Sequence, residues 1–78
     1  MKFTEYFWFM RERADRSFIE FEWIQQVIDF PIRRETQADG RFRLWGRISE
    51  MDGRYLRVIL LPDGETIHNA FFDRSFRI

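Results

Sequence analysis

Hydrophobic residues recur at helical spacing in the first part of the chain. Apolar positions three and four residues apart predict a helix over residues 3–14, although a strand through "YFWFM" (6–10) would also fit. The apolar face of this helix would consist of Phe3, Tyr6, Phe7, Met10 and Ala14. Trp8 and Phe9 fall outside that face, so they are candidates either for the core or for an interface.

A second helix is predicted after a short connection. The sequence "SFIE" (17–20) has the form of a capping box, with Ser17 as the N-cap and Glu20 three residues later. The following "FEWIQQVIDF" again has helical spacing, and Pro31 ends the helix because the residue before a proline is pushed toward extended geometry. Its apolar face would contain Phe21, Ile24, Val27 and Ile28.

Beyond Pro31 the hydrophobic period changes to two, which is typical of strands. The turn sequences "ADGR", "EMDGR" and "PDGE" separate a weak strand from three strong ones. These strands would cover residues 32–37, 41–49, 54–61 and 65–72. The expected fold is a single α+β domain over residues 1–78, with two N-terminal helices packed on one face of a three- to four-stranded antiparallel meander.

Turn chemistry assigns side chains of the two strongest strands to faces. A three-residue loop, Met51–Gly53, suits a type I turn with a glycine bulge and would pair Glu50 with Arg54. Ile48 would then lie opposite Leu56, on an apolar face that the helices cover. The other face would carry Arg43, Trp45, Arg47, Tyr55, Arg57 and Ile59.

The last strand leaves two positions open for His68. A three-residue turn ending at Gly64 would place His68 on the apolar face, near Val58 and Gly46. A two-residue turn, Asp63-Gly64, would send it to the face with the arginines. Both alternatives stand at this point.

Composition narrows the chemistry that the chain can perform. It has no cysteine and one histidine, which excludes disulfides, thiolate metal sites and a multi-histidine metal site within one chain. We expect no metal and no cofactor. Neither a leader pattern nor an apolar run near the roughly 20 residues of a membrane span occurs. We therefore expect a cytoplasmic protein that does not associate with a membrane.

Charge and aromatic content bear on the partners. The chain has 13 basic and 13 acidic residues, so it attracts phosphate only where its basic side chains cluster. Ten phenylalanines, three tryptophans and two tyrosines are more aromatic rings than one small core hides. We expect some of them at an interface with a partner or a second copy of the chain.

Four segments of the chain carry a resemblance to a known family. They are "FIEFEWIQQVIDFP", "DGRFRLWGRI", "GRYLRVILLPDGETIHNAFF" and the closing "DR", which together cover roughly residues 18–74. In this order they resemble an uncharacterised family of small bacterial proteins found with toxin–antitoxin modules and distantly similar to the BrnT and RelE ribonuclease toxins. The family often begins its first helix with a histidine and an arginine-rich run. Here "YFWFMRER" keeps Arg11 and Arg13 but has no histidine.

The resemblance implies a type II toxin, a RelE/BrnT-like mRNA endoribonuclease that needs no metal and is neutralised by a small antitoxin. RNA and the ribosome are its implied partners. In RelE-like folds the active surface is the sheet face opposite the helices, where the strand pattern independently places arginines. Catalysis would then rest on His68 for proton transfer and on Arg47 and Arg57 as phosphate clamps. RNA contacts would come from Arg43, Trp45, Tyr55 and Arg74.

Each of these residues also has a structural interpretation. The arginines could be a solvated strand face, and His68 could be a half-buried strand histidine with one structural hydrogen bond. Asp73 and Arg74 could form an ion pair at the end of the last strand. Zero net charge, a single histidine and the excess of aromatic rings favour an alternative function, a non-catalytic interaction module that pairs with a small partner protein.

Overall fold

Two helices and five strands follow one another along the computed structural model, which describes residues 1–78. Their bounds are β1 Lys2–Phe3, α1 Glu5–Arg11, α2 Phe21–Asp29, β2 Arg33–Thr36, β3 Phe42–Ile48, β4 Arg54–Leu60 and β5 Thr66–Phe72. The sheet order is β1-β5-β4-β3-β2. Strands β2 to β5 form an antiparallel meander, whereas β1 runs parallel to β5. The α+β class is confirmed, and the expected three or four antiparallel strands are corrected to five strands of mixed direction.

The extra strand, Lys2–Phe3, overlaps the first residue of the predicted helix. Phe3 pairs with Ile67 in β1, and its ring packs on Phe7 with the centroids 4.6 Å apart. Thr4 then caps α1, because its hydroxyl accepts the Phe7 N–H at 3.0 Å. The predicted helix over 3–14 is therefore wrong at both ends. A two-residue strand is too short to show a period of its own.

The second helix begins later than the capping box predicts. Glu20 is the N-cap, and the N–H of Ser17 donates to the Arg13 carbonyl at 2.9 Å within the connecting turns. The helix ends before Pro31, as predicted, and buries Trp23, Ile24 and Val27. Neither α1, with seven residues, nor α2, with nine, is long and apolar enough to cross a membrane.

The register between β3 and β4 differs from the predicted one by two residues. Leu56 lies opposite Gly46 rather than Ile48, and Ile48 lies opposite Arg54. The connection is a five-residue loop, 49–53, with a 3₁₀ turn followed by Asp52 at φ 56° and Gly53 at φ 71°. Because the shift is an even number of residues, every side chain stays on its predicted face.

The main core lies between the helices and one face of the sheet. Helix α2 crosses β3 at Gly46, where a β-carbon would lie 2.8 Å from Val27 Cγ2. Glycine therefore sets how closely the helix approaches the sheet. The buried members of this core are Phe7, Ile19, Trp23, Ile24, Val27, Leu44, Ile48, Leu56, Val58, Leu60, Ile67 and Ala70.

Candidate nucleic-acid interface

The sheet face opposite the helices is covered at its centre by residues 73–78, here called the tail. Phe76 of the tail stacks on Trp45 with ring centroids 4.9 Å apart and meets Tyr55 at 5.0 Å. Trp45 is 5% exposed and Phe76 is 7% exposed. The tail thus builds a second, smaller hydrophobic cluster, and the Trp45 ring predicted to contact RNA is already stacked.

Asp73 fastens the start of the tail to this face. Its N–H donates to the Tyr55 carbonyl at 2.9 Å, which extends the β4–β5 ladder by one bond. Its Oδ2 accepts the Trp45 indole N–H at 3.0 Å and lies 3.5 Å from Arg57 Nη1. Its Oδ1 accepts both the N–H and the hydroxyl of Ser75. Asp73 therefore forms an ion pair at the strand end, with Arg57 as its partner.

The Asp73 carboxylate should make the free energy of unfolding depend on pH. Burial raises the pKa of Asp73, but hydrogen bonds from Trp45 and Ser75 and the charge of Arg57 outweigh it, so the pKa lies below its usual 3.8. A lowered folded pKa stabilises the fold above the unfolded pKa, and this contribution is lost as the pH falls through the folded pKa. We expect D73N to lose about 2 kcal/mol at pH 7. Urea unfolding at pH 7 and about pH 2.5 should show the difference from wild type shrinking in acid. An unchanged difference would show that the charge is not its source.

Two of the predicted arginines flank Trp45 and are held by carboxylates. Arg43 Nη2 lies 3.2 Å from Glu35 Oε1, and Arg57 binds Asp73. Their guanidinium carbons lie 5.9 and 5.5 Å from the Trp45 ring. The structure therefore brings Arg43 and Arg57 beside Trp45, and each arginine is held in an ion pair.

A cleft of about 400 Å³ opens beside the tail, next to the loop between β3 and β4. Three of its side chains, Arg54, Arg74 and Arg77, have no carboxylate within ion-pair distance. Arg77 is held in place because its Nη1 donates to the carbonyls of Arg74 and Phe76. The aromatic walls of the cleft are formed by Tyr55, Phe72 and Phe76. The cleft thus joins Tyr55 and Arg74 from the predicted set with two arginines that the sequence did not single out.

Arg47 borders the same cleft. Its side chain is exposed, and no carboxylate pairs with it. Its guanidinium lies against Gly53, which lines the cleft. Among the predicted catalytic residues, Arg47 is therefore the one with a free cationic group beside the cleft.

The formal charges are divided between the two layers of the fold. Residues 1–30, which hold both helices, carry four basic and six acidic side chains. Residues 31–78, which hold β2 to β5 and the tail, carry nine basic and seven acidic side chains. Although the net charge of the whole chain is zero, the part that forms the cleft therefore has a net positive charge.

His68 lies at a β-bulge of β5, away from the cleft. Leu60 is opposite Ile67 and Ile59 is opposite Asn69, so His68 is the extra residue of the ladder, an arrangement that neither predicted turn contained. Its Nδ1 is 3.0 Å from the Thr4 hydroxyl, and Tyr6 stacks on its ring at 4.7 Å.

The surroundings of His68 favour a neutral ring. Burial and the nearby charge of Arg41 lower its pKa, against a smaller opposing effect of Asp39. The Thr4 hydroxyl already accepts the Phe7 N–H, so it can donate its proton to the unprotonated Nδ1 of His68. No contact joins His68 to Arg47 or Arg57, so the predicted catalytic set is not brought together.

Helix α1 leaves aromatic rings on the surface. Phe9 is 71% exposed, and Tyr6 and Trp8 are nearly half exposed. Trp23, the third large ring considered for the core, is buried. The excess aromatic content is therefore placed partly on α1, on the side of the molecule away from the tail.

Comparison with known proteins gives no relative: no family model, no curated protein and no solved structure matches the chain. No group of three or more histidine or acidic side chains converges in a way that could hold a metal ion. The geometry and chemistry of the surface are therefore the grounds for a functional proposal.

Proposed function

We propose that this protein binds single-stranded RNA on the tail side of its sheet, as a RelE/BrnT-like endoribonuclease toxin of a toxin–antitoxin pair. The observation that carries the proposal is the cleft, where Arg54, Arg74 and Arg77 stand without carboxylate partners beside aromatic walls. Guanidinium groups bind phosphate through paired N–H donors, and bases stack on aromatic rings. The resemblance of residues 18–74 supports the class of protein.

The proposed cleavage needs no metal. A ribose 2′-hydroxyl gives its proton to water and its oxygen bonds to the adjacent phosphorus. The bond from phosphorus to the 5′-oxygen breaks, the 5′-oxygen takes a proton from water, and a 2′,3′-cyclic phosphate is left. Negative charge builds on the phosphate oxygens during this step, and guanidinium groups stabilise it. Arg47 and the three arginines of the cleft are suitably placed for that role. His68 lies elsewhere, so its part in proton transfer has to be tested separately.

Inducible expression in a bacterial host, with growth and transcript ends followed together, tests this proposal. Wild type should arrest growth and produce reproducible new mRNA ends. R47A should relieve both effects at equal expression, because Arg47 is exposed and its removal breaks no ion pair. R57A is a poorer test, since it also releases the buried Asp73 carboxylate. Full toxicity of R47A would remove Arg47 from the site, and full toxicity of H68N would remove His68 from proton transfer.

A second candidate function is pairing with a small protein without catalysis. The exposed rings of Tyr6, Trp8 and Phe9 on α1 favour it, because interfaces are enriched in aromatic side chains. The same expression experiment separates the two. Normal growth with intact transcripts, at confirmed expression, would support the interaction module and contradict the ribonuclease.

A further inference from the structure

Phe76 occupies a slot that has the composition of a base-stacking site. The Trp45 indole lies 4.9 Å from its ring centroid at an interplanar angle of 21°, and Tyr55 approaches edge-on. The guanidinium carbon of Arg33 lies over the Phe76 ring at 5.1 Å. Proteins hold single-stranded bases with the same groups, indole, phenol and guanidinium planes.

The slot is flanked by donors that the fold leaves unused. Arg43 and Arg57 lie beside Trp45, and the Nε–H of each is buried without a hydrogen-bond partner. Buried donors of this kind are normally satisfied. Phosphate oxygens or base acceptors that entered the slot would offer partners to both arginines.

The tail beyond Asp73 is held to the sheet by one side chain. Of residues 74–78 only Phe76 is buried, and Arg77 donates its hydrogen bonds to carbonyls of the tail itself. Withdrawing the Phe76 ring would therefore free residues 76–78, while Ser75 stays bonded to Asp73 and Asp73 keeps its bonds to Trp45 and to the Tyr55 carbonyl. Arg77 of the cleft would then reach phosphate from the released end of the tail, whereas Arg54 keeps its place on β4.

We propose that the Phe76 slot is a nucleobase subsite that the tail closes in the free protein, so that a base of single-stranded RNA takes the place of the Phe76 ring. The inference rests on the proposed RNA-binding function. The tail and the RNA compete for Trp45, and the apparent affinity for RNA is reduced by the fraction of molecules in which the slot is open.

The test is binding of a fluorescein-labelled 2′-O-methyl decauridylate, followed by fluorescence anisotropy. The blocked 2′-oxygens prevent cleavage, so that only binding is measured. F76A should bind at least about tenfold more tightly than wild type, because the slot is then open in every molecule. F30A is the matched control, since Phe30 is 79% exposed and its loss opens nothing; its affinity should equal that of wild type.

The possible outcomes of the anisotropy measurement distinguish the Phe76 subsite from RNA binding as such. Equal affinities of wild type and F76A, both measurable, would overturn the subsite and leave RNA binding at the cleft intact. Weaker binding by a folded F76A would show that Phe76 supports the RNA surface and would also overturn the subsite. Absence of binding by both proteins would overturn the RNA-binding function together with the subsite.

A measurement on wild type covers the case in which F76A does not fold. In ¹⁵N NMR spectra the amides of residues 76–78 should become mobile on the nanosecond timescale when the oligonucleotide saturates the protein, with lower heteronuclear NOE values. The same amides should stay ordered in the free protein, without the oligonucleotide. Unchanged values in the bound protein would show that the tail remains in its slot and would overturn the proposal.

Discussion

Replacing Gly46 with valine should lower the melting temperature by roughly 10–20 °C, corresponding to about 2–3 kcal/mol of overpacking in a domain of this size. A β-carbon at this position would lie 2.8 Å from Val27 Cγ2 and 3.4 Å from Val27 Cα. The first distance is too short for two carbon atoms, and the β-branched Val27 has few alternative rotamers in a helix, so α2 has to move away from β3. Thermal melts followed by circular dichroism would measure the loss.

Two controls connect this loss to the helix–sheet contact. Gly64 has φ 71° and open space around its α-carbon, so G64A should cost only about 1 kcal/mol of backbone strain. V27A should restore part of the stability when it is combined with G46V, because the smaller side chain leaves room for the new one. Equal losses for G46V and G64A, or strict additivity in the double variant, would contradict the close approach at Gly46.

Changing Arg54, Arg74 and Arg77 together to glutamine should weaken binding of single-stranded RNA by about 30- to 100-fold at low salt. Each arginine that neutralises a phosphate releases counterions, which contributes about 0.7 to the slope of log affinity against log salt for single strands. The triple variant should therefore have a slope shallower by about 2. Anisotropy titrations at several salt concentrations would measure affinity and slope together.

A matched triple variant separates the cleft from overall charge. Glutamine at Lys2, Arg11 and Arg13 removes three positive charges from residues 1–30, which hold β1 and both helices. Its affinity and salt slope should stay close to those of wild type, because no phosphate contact is lost. Equal losses in both triple variants would show that net charge, and not the cleft, determines binding.

The periodicity of the sequence was sufficient to predict the layers and the faces of the sheet. A change from helical to alternating spacing at Pro31 separates the helices from β2–β5, and alternation places Trp45 and Arg57 opposite the core. Even the two-residue error in register left these faces unchanged. The hydrophobic pattern determines on which face of the sheet each side chain lies. The cross-strand partner of each residue depends instead on the geometry of the loop, here on Asp52 and Gly53 with positive φ.

The tail and the cleft lay beyond what a pattern could show. Phe76 is one aromatic residue in the short polar stretch "DRSFRI", and its burial depends on a ring, Trp45, that lies 31 positions earlier. The order Asp73-Arg74-Ser75 is the one feature of the sequence that indicates a turn after β5. An Asp side chain readily accepts the N–H of the residue two positions later, which turns the chain. Arg54 and Arg77 meet only once the tail has folded over β4.

The parallel pairing of β1 with β5 sets an order on folding. Lys2 and Phe3 pair with Thr66 and Ile67, so the sheet closes only through contacts that span almost the whole described chain. Contacts of such sequence separation form late, since a long loop must close before they contribute any stability. A chain emerging from the ribosome would hold Phe3 unpaired, next to the exposed rings of α1, until β5 had been made.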